Sequence, residues 1–236
     1  MEQRTLEWYN ARLGHFTASD LEDLCTSGRA KKGEATPLFG ETAKAIIRKK
    51  AAERFFAEDK VANAEYMEMW YHYNNASSRI MDFGVKMEPI ARQAYEQATG
   101  LFVQEVGFIR HPTIPWLGAS PDGVTEENGK RIGLEIKNLT PAETMRTVLD
   151  MEVFNGDLKA VTKAHFWQTQ CQMMCAELEA VDYVVYCEIL EKPLYIWRQY
   201  PVPEAVEEIT RRVEAANMLA SSFIGSMSKA AYGNGD

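Results

Sequence analysis

The chain has 236 residues and a mass of 26.8 kDa; 46% of its residues are hydrophobic and 25% are charged. This composition is typical of a folded protein with a sizeable core and excludes a disordered chain. A net charge of −8 argues against broad, non-specific binding to nucleic acid, and no apolar run is long enough to span a bilayer. The first residues lack the layout of a signal peptide, so we expect a cytoplasmic protein with no membrane contact.

Helices dominate the first hundred residues. Residues 5–13, a segment through 21–24, residues 42–56 and residues 77–99 are predicted to be helical. Thr17 and Ser19 are candidate N-caps for the second helix, and Gly100 would end the fourth, in which Pro89 either begins a new helix or causes a kink. The stretch 58–78 is rich in Met, Tyr and Trp. A core or subunit-interface helix explains it best, and stacking on unwound bases is the lesser alternative.

Strands become frequent after residue 100. They are predicted over residues 101–110, 124–125, 132–136, 181–188 and 194–200. A helix over 163–178 lies between them, and a long helix from 204 to about 222 follows them. We predict an α/β fold with a central mixed β-sheet flanked by helices, formed by a single domain over residues 1–226 with a flexible tail over 227–236.

Positive charge is concentrated in one segment. Residues 28–50 contain seven Lys or Arg residues and two Glu residues, a local charge of +5, so the rest of the chain carries −13. A solvated helix face is the commoner explanation of such a run, and contact with a polyanion is the alternative.

Asp122, Glu135 and Lys137 form the clearest chemical pattern. Asp122 lies in a Ser-Pro-Asp-Gly turn, whereas Glu135 and Lys137 are two residues apart in an apolar strand, so their side chains leave the same face. Carboxylate oxygens are ligands that Mg²⁺ prefers, and a lysine beside them can hold an attacking water or stabilise charge on a phosphate. The simpler alternative is a salt-bridged strand with one solvated face.

Pro121-Asp122 followed by Glu135-x-Lys137 resembles the core motif of the PD-(D/E)XK nuclease superfamily. Five segments in the same order resemble the YqaJ-type viral recombinases, the family of phage lambda exonuclease: residues 8–19, 84–92 with 99–100, 120–123, 133–137 and 164–170. The resemblance runs from about residue 8 to residue 186. This chain departs from it at Asn138, where many relatives have Cys-Pro, and we expect that change to alter the exit of the strand rather than the chemistry.

The resemblance implies a PD-(D/E)XK nuclease fold with two Mg²⁺ ions, which Mn²⁺ could replace. The implied metal ligands are Glu88, Asp122, Glu135 and the main-chain carbonyl of Ile136. Lys137 would be the catalytic lysine, and Gln170 would orient substrate or water while Gln168 only packs. For Glu88, an ordinary solvated helix glutamate is the simpler alternative.

The resemblance also implies degradation of linear duplex DNA in the 5′→3′ direction from 5′-phosphorylated ends, leaving 3′ single-stranded tails for recombination. The positions that would hold the terminal phosphate are Arg12, Thr17, Ser19 and Ser120. A guanidinium can bind two phosphate oxygens at once, and hydroxyls at a helix start add donors. Plain N-capping is the simpler role for Thr17 and Ser19.

The partners implied by the resemblance are double-stranded DNA ends, two further copies of the chain in a ring-shaped homotrimer, and a single-strand annealing protein. The location would be the cytoplasm of a bacterial host of a phage or prophage. Because a ring needs positive charge only inside its channel, an acidic body is compatible with this assembly. Basic residues within 29–32 and 44–54 are the candidate contacts to DNA.

Three other functions are left open by the residues. The four cysteines, Cys25, Cys171, Cys175 and Cys187, equal the number that an iron–sulfur nuclease of this fold needs, although they form no Cys-x-x-Cys pair. A sequence-specific or structure-specific endonuclease would use the same acidic motif. An inactive DNA-end-binding scaffold would retain the fold alone. The histidines show no metal-binding spacing, and His165 is expected to pack or to form a local hydrogen bond.

Overall fold

The structure is a computed structural model that describes residues 2–74 and 79–231. The helices in this part of the chain are α1 (Leu6–Arg12), α2 (Leu21–Cys25), α3 (Glu41–Arg54), α4 (Glu58–Val61), α5 (Ala64–Asn74), α6 (Arg79–Thr99), α7 (Pro141–Val153), α8 (Leu158–Val161), α9 (Lys163–Ala176) and α10 (Pro203–Ala231), with a 3₁₀ turn at Ala18–Asp20. The strands are β1 (Phe16–Thr17), β2 (Ile109–Arg110), β3 (Leu117–Ala119), β4 (Gly123–Glu127), β5 (Lys130–Asn138), β6 (Ala180–Tyr186) and β7 (Leu194–Gln199). Within the described ranges, no helix combines the length and apolar character needed to cross a bilayer.

The strands form two sheets. The larger has the order β4-β5-β6-β7, in which β5 and β6 are parallel and the outer pairs are antiparallel. Because parallel neighbours need a long crossover, the chain passes through α7, α8 and α9 between β5 and β6. The smaller sheet has the order β1-β3-β2. A mixed sheet with helices around it confirms the predicted α/β class.

Helices cover both faces of the larger sheet, which explains the apolar character of its central strands. On one face, Leu134 of β5 packs with Ala91 and Tyr95 of α6. On the other face, Tyr183 of β6 packs with Phe166 of α9. Strands buried on both sides read as nearly continuous hydrophobic runs, and β6 is buried along its whole length. The alternation along β5 therefore directs each side chain toward either α6 or α9.

The predicted strand over 101–110 is mostly wrong. Only Ile109–Arg110 lies in a sheet, and Gln104 pairs with Val124 through two main-chain hydrogen bonds of 2.8 and 2.9 Å. The β-type composition of this segment reflects packing instead, since Val103 is buried against α6. Helix α7 was not predicted, although Thr140 and Glu143 form a capping box at its start.

The aromatic stretch before α6 does contain a helix, α5, which packs against α1 and α4. The rings of Tyr9 and Tyr71 stack with centroids 4.8 Å apart, and the Tyr71 hydroxyl donates to Asn10 at 3.2 Å. Met67 is the buried residue of α5. Residues 77 and 78, where the fourth helix was predicted to begin, lie outside the described residues. At the other end of the chain, α10 continues to Ala231, past the predicted start of the tail at residue 227.

Candidate active site

Strand β5 directs Glu135 and Lys137 to the same face of the larger sheet, which confirms the prediction from their spacing. That face is covered by α9, where Gln172 donates to Glu135 Oε2 and Gln168 Oε1 accepts from Lys137 Nζ at 3.2 Å. Lys137 Nζ also lies 2.5 Å from Glu135 Oε1. The Glu135 side chain is almost fully buried, with 2% exposure, so neither residue belongs to a freely solvated strand face.

Asp122 is fastened to β5 by two hydrogen bonds. Its main-chain N–H donates to the carbonyl of Leu134 at 3.0 Å, and its Oδ2 accepts from the N–H of Ile136 at 2.7 Å. The turn before β4 thus extends the pairing with β5. Because one bond holds the main chain of Asp122 and the other holds its carboxylate, both to the main chain of β5, the carboxylate is positioned beside Glu135.

The electrostatics show that three carboxylates and one ammonium share this space. Burial raises the pKa of Asp122 well above its usual value, and the charges of Glu135 and Glu88 raise it further. Burial alone would lower the pKa of Lys137, but the three carboxylates outweigh it and raise the pKa instead. The lysine is therefore charged near neutral pH, and the surrounding carboxylates are in excess over it.

Glu88 reaches this site from α6 and is held by two arginines. Its Oε2 lies 2.5 Å from Arg4 Nη2, and its Oε1 lies 3.0 Å from Arg92 Nη2. Glu88 is buried, so the alternative of a solvated helix glutamate is wrong. Asn138, at the end of β5, donates from Nδ2 to the carbonyl of Gly84 at 2.9 Å and so ties α6 to the strand.

The chemistry of these residues fits a hard divalent cation. Three carboxylates whose charges oppose one another supply the oxygen ligands that Mg²⁺ and Mn²⁺ take, and a bound cation would relieve that repulsion. In their present rotamers, no three His, Cys, Asp or Glu side chains among residues 2–74 and 79–231 are grouped as ion ligands. Glu135 faces Lys137 and Gln172, and Glu88 faces its arginines, so both side chains would have to turn to bind an ion.

The structure corrects the assignment of the glutamines on α9. Gln170 is 1% exposed; its Nε2 donates to the carbonyl of Tyr200 at 3.0 Å and its Oε1 accepts from the N–H of Val202 at 2.8 Å. It fastens the connection between β7 and α10 and does not face the carboxylates. Gln168 and Gln172 are four residues apart, about one helical turn, so both lie on the face of α9 that contacts β5. Gln170 lies on a different face. This periodicity could have identified them from the sequence.

His165 lies on the same side of α9 and forms a local hydrogen bond, as predicted. Its Nδ1 is 2.7 Å from the hydroxyl of Tyr183. Burial, together with the charge of Lys137, lowers the pKa of His165 to about 3. The imidazole is therefore neutral and lends no positive charge to the site.

Two of the four predicted phosphate-binding residues are connected through Trp8. The guanidinium of Arg12 lies 4.0 Å from the centre of the Trp8 ring, and Trp8 Nε1 donates to Ser120 Oγ at 3.0 Å. Burial lowers the pKa of Arg12, and the nearby charge of Asp20 opposes that effect. Arg12 and Ser120 thus both contact one indole ring, Arg12 over its face and Ser120 at its N–H.

Thr17 and Ser19 lie at the 3₁₀ turn beside Asp20. The two hydroxyl oxygens are 3.0 Å apart, and Asp20 Oδ2 accepts from the N–H and the hydroxyl of Thr17 at 2.8 and 2.9 Å. Thr17 is therefore the N-cap of this turn. Ser19 is exposed, and its hydroxyl can bind a ligand without breaking the cap.

Arg12 also lines a cleft of about 720 Å³ between α1, α3, α5 and α6. Its charged lining residues are the cations Arg4, Arg12, Lys49, Lys50 and Lys86 and the acids Glu53 and Asp82. The lining does not include Asp122, Glu135 or Lys137, but Arg4 connects the cleft to the carboxylates through Glu88. From the basic segment of the sequence, Lys49 and Lys50 reach this cleft, whereas residues 29–32 lie in an exposed loop.

The cysteines lie away from the arrangement that a cluster needs. Cys171 and Cys175 are one turn apart in α9 with sulfur atoms 3.9 Å apart, and Cys187 follows β6. Nowhere in the described ranges are three potential Cys, His, Asp or Glu ligands gathered. The iron–sulfur alternative gains no support from these positions.

Comparison with known proteins places this geometry in context. The model of the YqaJ-like viral recombinase domain matches residues 7–179. Two crystal structures of LHK-Exo, an alkaline exonuclease from Laribacter hongkongensis, are similar to this chain, with 26% sequence identity. The match covers 97% of this chain and 98% of LHK-Exo, with a TM-score of 0.74 for the complex with dAMP and 0.73 for the other structure. A phage-related exonuclease from Haemophilus somnus 129PT is 14% identical, with 90% and 96% coverage and a TM-score of 0.62, and shares the fold. No curated protein sequence matches the chain.

Proposed function

This chain belongs to the YqaJ-like viral recombinase family, and from that premise we propose that it is a metal-dependent exonuclease acting on linear double-stranded DNA. The likeness to an alkaline exonuclease over 97% of the chain supports nuclease activity. In the proposal, one strand is degraded 5′→3′ from a 5′-phosphorylated end, and the complementary strand is left as a 3′ single-stranded tail for recombination.

The observation that carries this proposal is the contact of Lys137 with Glu135 beside the fastened carboxylate of Asp122. A buried ammonium among carboxylates in excess is suited to phosphodiester hydrolysis, in which negative charge develops on the phosphate. A structural ion pair within β5 would not require the third carboxylate, Glu88, which comes from α6.

Each residue of the site has a role in this reaction. Divalent cations, when bound, would lower the pKa of the attacking water and neutralise the leaving oxygen. Asp122, Glu135, Glu88 and the Ile136 carbonyl would hold them. Lys137 stays protonated and can donate to the attacking water or to a phosphate oxygen, while Gln168 limits its orientation. Asp122 is already held by β5 and Lys137 by Gln168, so these two groups need little reorganisation during the reaction, whereas Glu135 and Glu88 would turn when the cations bind.

Arg12, Ser120, Thr17 and Ser19 would bind the terminal 5′-phosphate and thereby set the direction of digestion. The adjacent cleft is lined by more cations than acids, which supports binding of an anionic ligand there although the net charge of the chain is −8. A homotrimeric ring, an annealing protein that coats the 3′ tail, and a location in the cytoplasm of a bacterial host complete the proposal, and these three parts rest on the family resemblance.

The proposal is tested with linear duplexes labelled on either strand, bearing a 5′-phosphate or a 5′-hydroxyl, in Mg²⁺, in Mn²⁺ or in EDTA. We expect metal-dependent loss of the 5′-phosphorylated strand and survival of its complement. Closed circular DNA is the matched control and should stay intact. Discrete fragments from circles would instead indicate an endonuclease, and binding without cleavage would indicate an end-binding scaffold.

A further inference from the structure

Lys50 is a buried lysine with few protein partners. It lies on α3 and is 8% exposed. Among the described residues its ammonium has one hydrogen-bond acceptor, Glu53 Oε2, at 3.5 Å, and the same oxygen accepts a shorter bond of 2.9 Å from the N–H of Gly14. An ammonium has three donors, and burying a charged donor without acceptors is costly. Lys50 therefore retains unused capacity to bind an anion.

Arg12 is in a similar state. Its guanidinium stacks on Trp8, and no hydrogen bond or ion pair joins it to any residue within 2–74 or 79–231. Negative charge nearby comes from Asp20 and Glu53, both of which act on its pKa. Glu53 is therefore close to both Arg12 and Lys50, whereas Asp20 acts on Arg12 and is itself bonded to Thr17.

Both cations line the same cleft, Arg12 from the wall formed by α1 and Lys50 from the wall formed by α3. The turn at Gly14 joins these walls. Its φ of +71° is in the left-handed region, and a Cβ at this position would lie 2.5 Å from the Cγ of Arg54 on α3. With the Gly14 N–H bonded to Glu53, this close approach holds the end of α1 against α3, the two helices that carry the cations.

We propose that Lys50 is a specificity-determining residue that binds the terminal 5′-phosphate together with Arg12. A terminal phosphate monoester carries about 1.5 to 2 negative charges near neutral pH, more than the single charge of an internal phosphodiester. Arg12, whose guanidinium has no hydrogen-bonded acceptor among the described residues, and Lys50, whose ammonium has one distant acceptor, can supply donors to that extra charge, and a 5′-hydroxyl end would leave those donors unused. This assignment rests on the proposed function and extends its end-binding site from α1 to α3.

The test compares Lys50→Met with Lys49→Met, because Lys49 lies next to it on α3, lines the same cleft and is exposed. Binding of duplexes ending in 5′-phosphate or 5′-hydroxyl is measured by fluorescence anisotropy in EDTA, so that no cleavage is needed. Lys50→Met should lower the preference for the phosphorylated end about tenfold, the value of one charge-assisted hydrogen bond. Lys49→Met should weaken both duplexes equally, and Lys50→Arg should retain most of the preference.

An equal loss on both ends in Lys50→Met, or an unchanged preference, would overturn the assignment, because a role limited to pairing with Glu53 cannot distinguish the ends. Thermal unfolding of each variant checks the fold, and Lys50→Gln carries the same comparison if Lys50→Met does not fold. Failure of the proposed function is seen separately as the absence of cleavage by the wild type, and it leaves the binding comparison valid.

Discussion

The guanidinium of Arg4 lies 2.5 Å from the carboxylate of Glu88, which joins the segment before α1 to the helix that approaches the carboxylates. The neighbouring Gln3 donates from Nε2 to the carbonyls of Val106 and Pro121, each at 2.8 Å. This short segment therefore spans from Glu88 to the turn that carries Asp122. In this arrangement Arg4, together with Arg92, supplies the positive charge that a metal ion would otherwise bring to Glu88.

Replacing Arg4 by glutamine should increase the affinity for Mn²⁺. Removal of the cation releases Glu88 Oε2, while Arg92 still holds Oε1, and it removes a repulsive charge from the metal site, an effect of about tenfold at the effective dielectric of a protein surface. Isothermal titration calorimetry without DNA measures it directly. Arg211→Gln, which removes an exposed arginine on α10 paired with Glu208, is the control and should bind Mn²⁺ as the wild type does. Equal or weaker Mn²⁺ binding by the Arg4 variant would contradict the idea that Arg4 and the metal ion compete for Glu88.

Lys137→Ala should abolish hydrolysis while retaining DNA binding. Loss of a charged group that acts on the developing phosphate charge costs at least about 100-fold in kcat. Lys130→Ala is a matched control, because Lys130 begins the same strand but is exposed. A rate for Lys137→Ala close to that of Lys130→Ala would show that the active site lies elsewhere.

The two glutamines of α9 should separate catalysis from stability. Gln168→Ala removes the partner of Lys137, so we expect kcat to fall about tenfold with little change in Tm. Gln170→Ala breaks two buried hydrogen bonds to the β7–α10 connection and should cost about 2 to 3 kcal/mol of unfolding free energy, with a smaller effect on kcat per folded molecule. Digestion rates and thermal unfolding are measured for both variants. A large loss of kcat in Gln170→Ala with an unchanged Tm would instead show that Gln170 acts in the active site.

Arg12→Ala should weaken the preference for 5′-phosphorylated ends by about tenfold or more, because a charge-assisted pair with phosphate is lost. The same enzyme acting on 5′-hydroxyl duplexes is the internal control, and its rate there should change little. If both kinds of end respond alike, Arg12 serves the packing of Trp8 rather than recognition of the end.

The network around Asp182 should hold α6 on the sheet. Asp182 is 2% exposed and accepts from the Tyr95 hydroxyl at 2.6 Å and from Arg198 Nε at 2.8 Å. Tyr95→Phe removes one bond and should lower the unfolding free energy by about 1 to 2 kcal/mol, whereas Asp182→Ala removes the bonds from both Tyr95 and Arg198, leaves Arg198 with Glu127, and should cost about 3 to 5 kcal/mol. Chemical denaturation measures both, and equal effects would contradict the ranking.

Local rules were sufficient for part of the site. Strand alternation placed Glu135 and Lys137 on one face, and the same local reasoning located most helices, including α1, α3 and α9, to within a few residues. It failed for residues 101–110, where β-type side chains serve packing against α6, because composition does not reveal whether a neighbouring strand is present. The same local reasoning also missed α7, although its capping box of Thr140 and Glu143 follows shortly after Lys137 in the sequence.

The sequence by itself determined the motif around Asp122, Glu135 and Lys137, the order of the segments and the α/β class, because these depend on spacing and on periodicity along the chain. Only the tertiary structure decided that Gln168 rather than Gln170 contacts Lys137, that Arg4 holds Glu88, and that Lys50 and Arg12 line one cleft. These contacts join residues far apart in the chain. Which side chain meets which is set by how α6 and α9 pack on the sheet, and no local pattern records that packing.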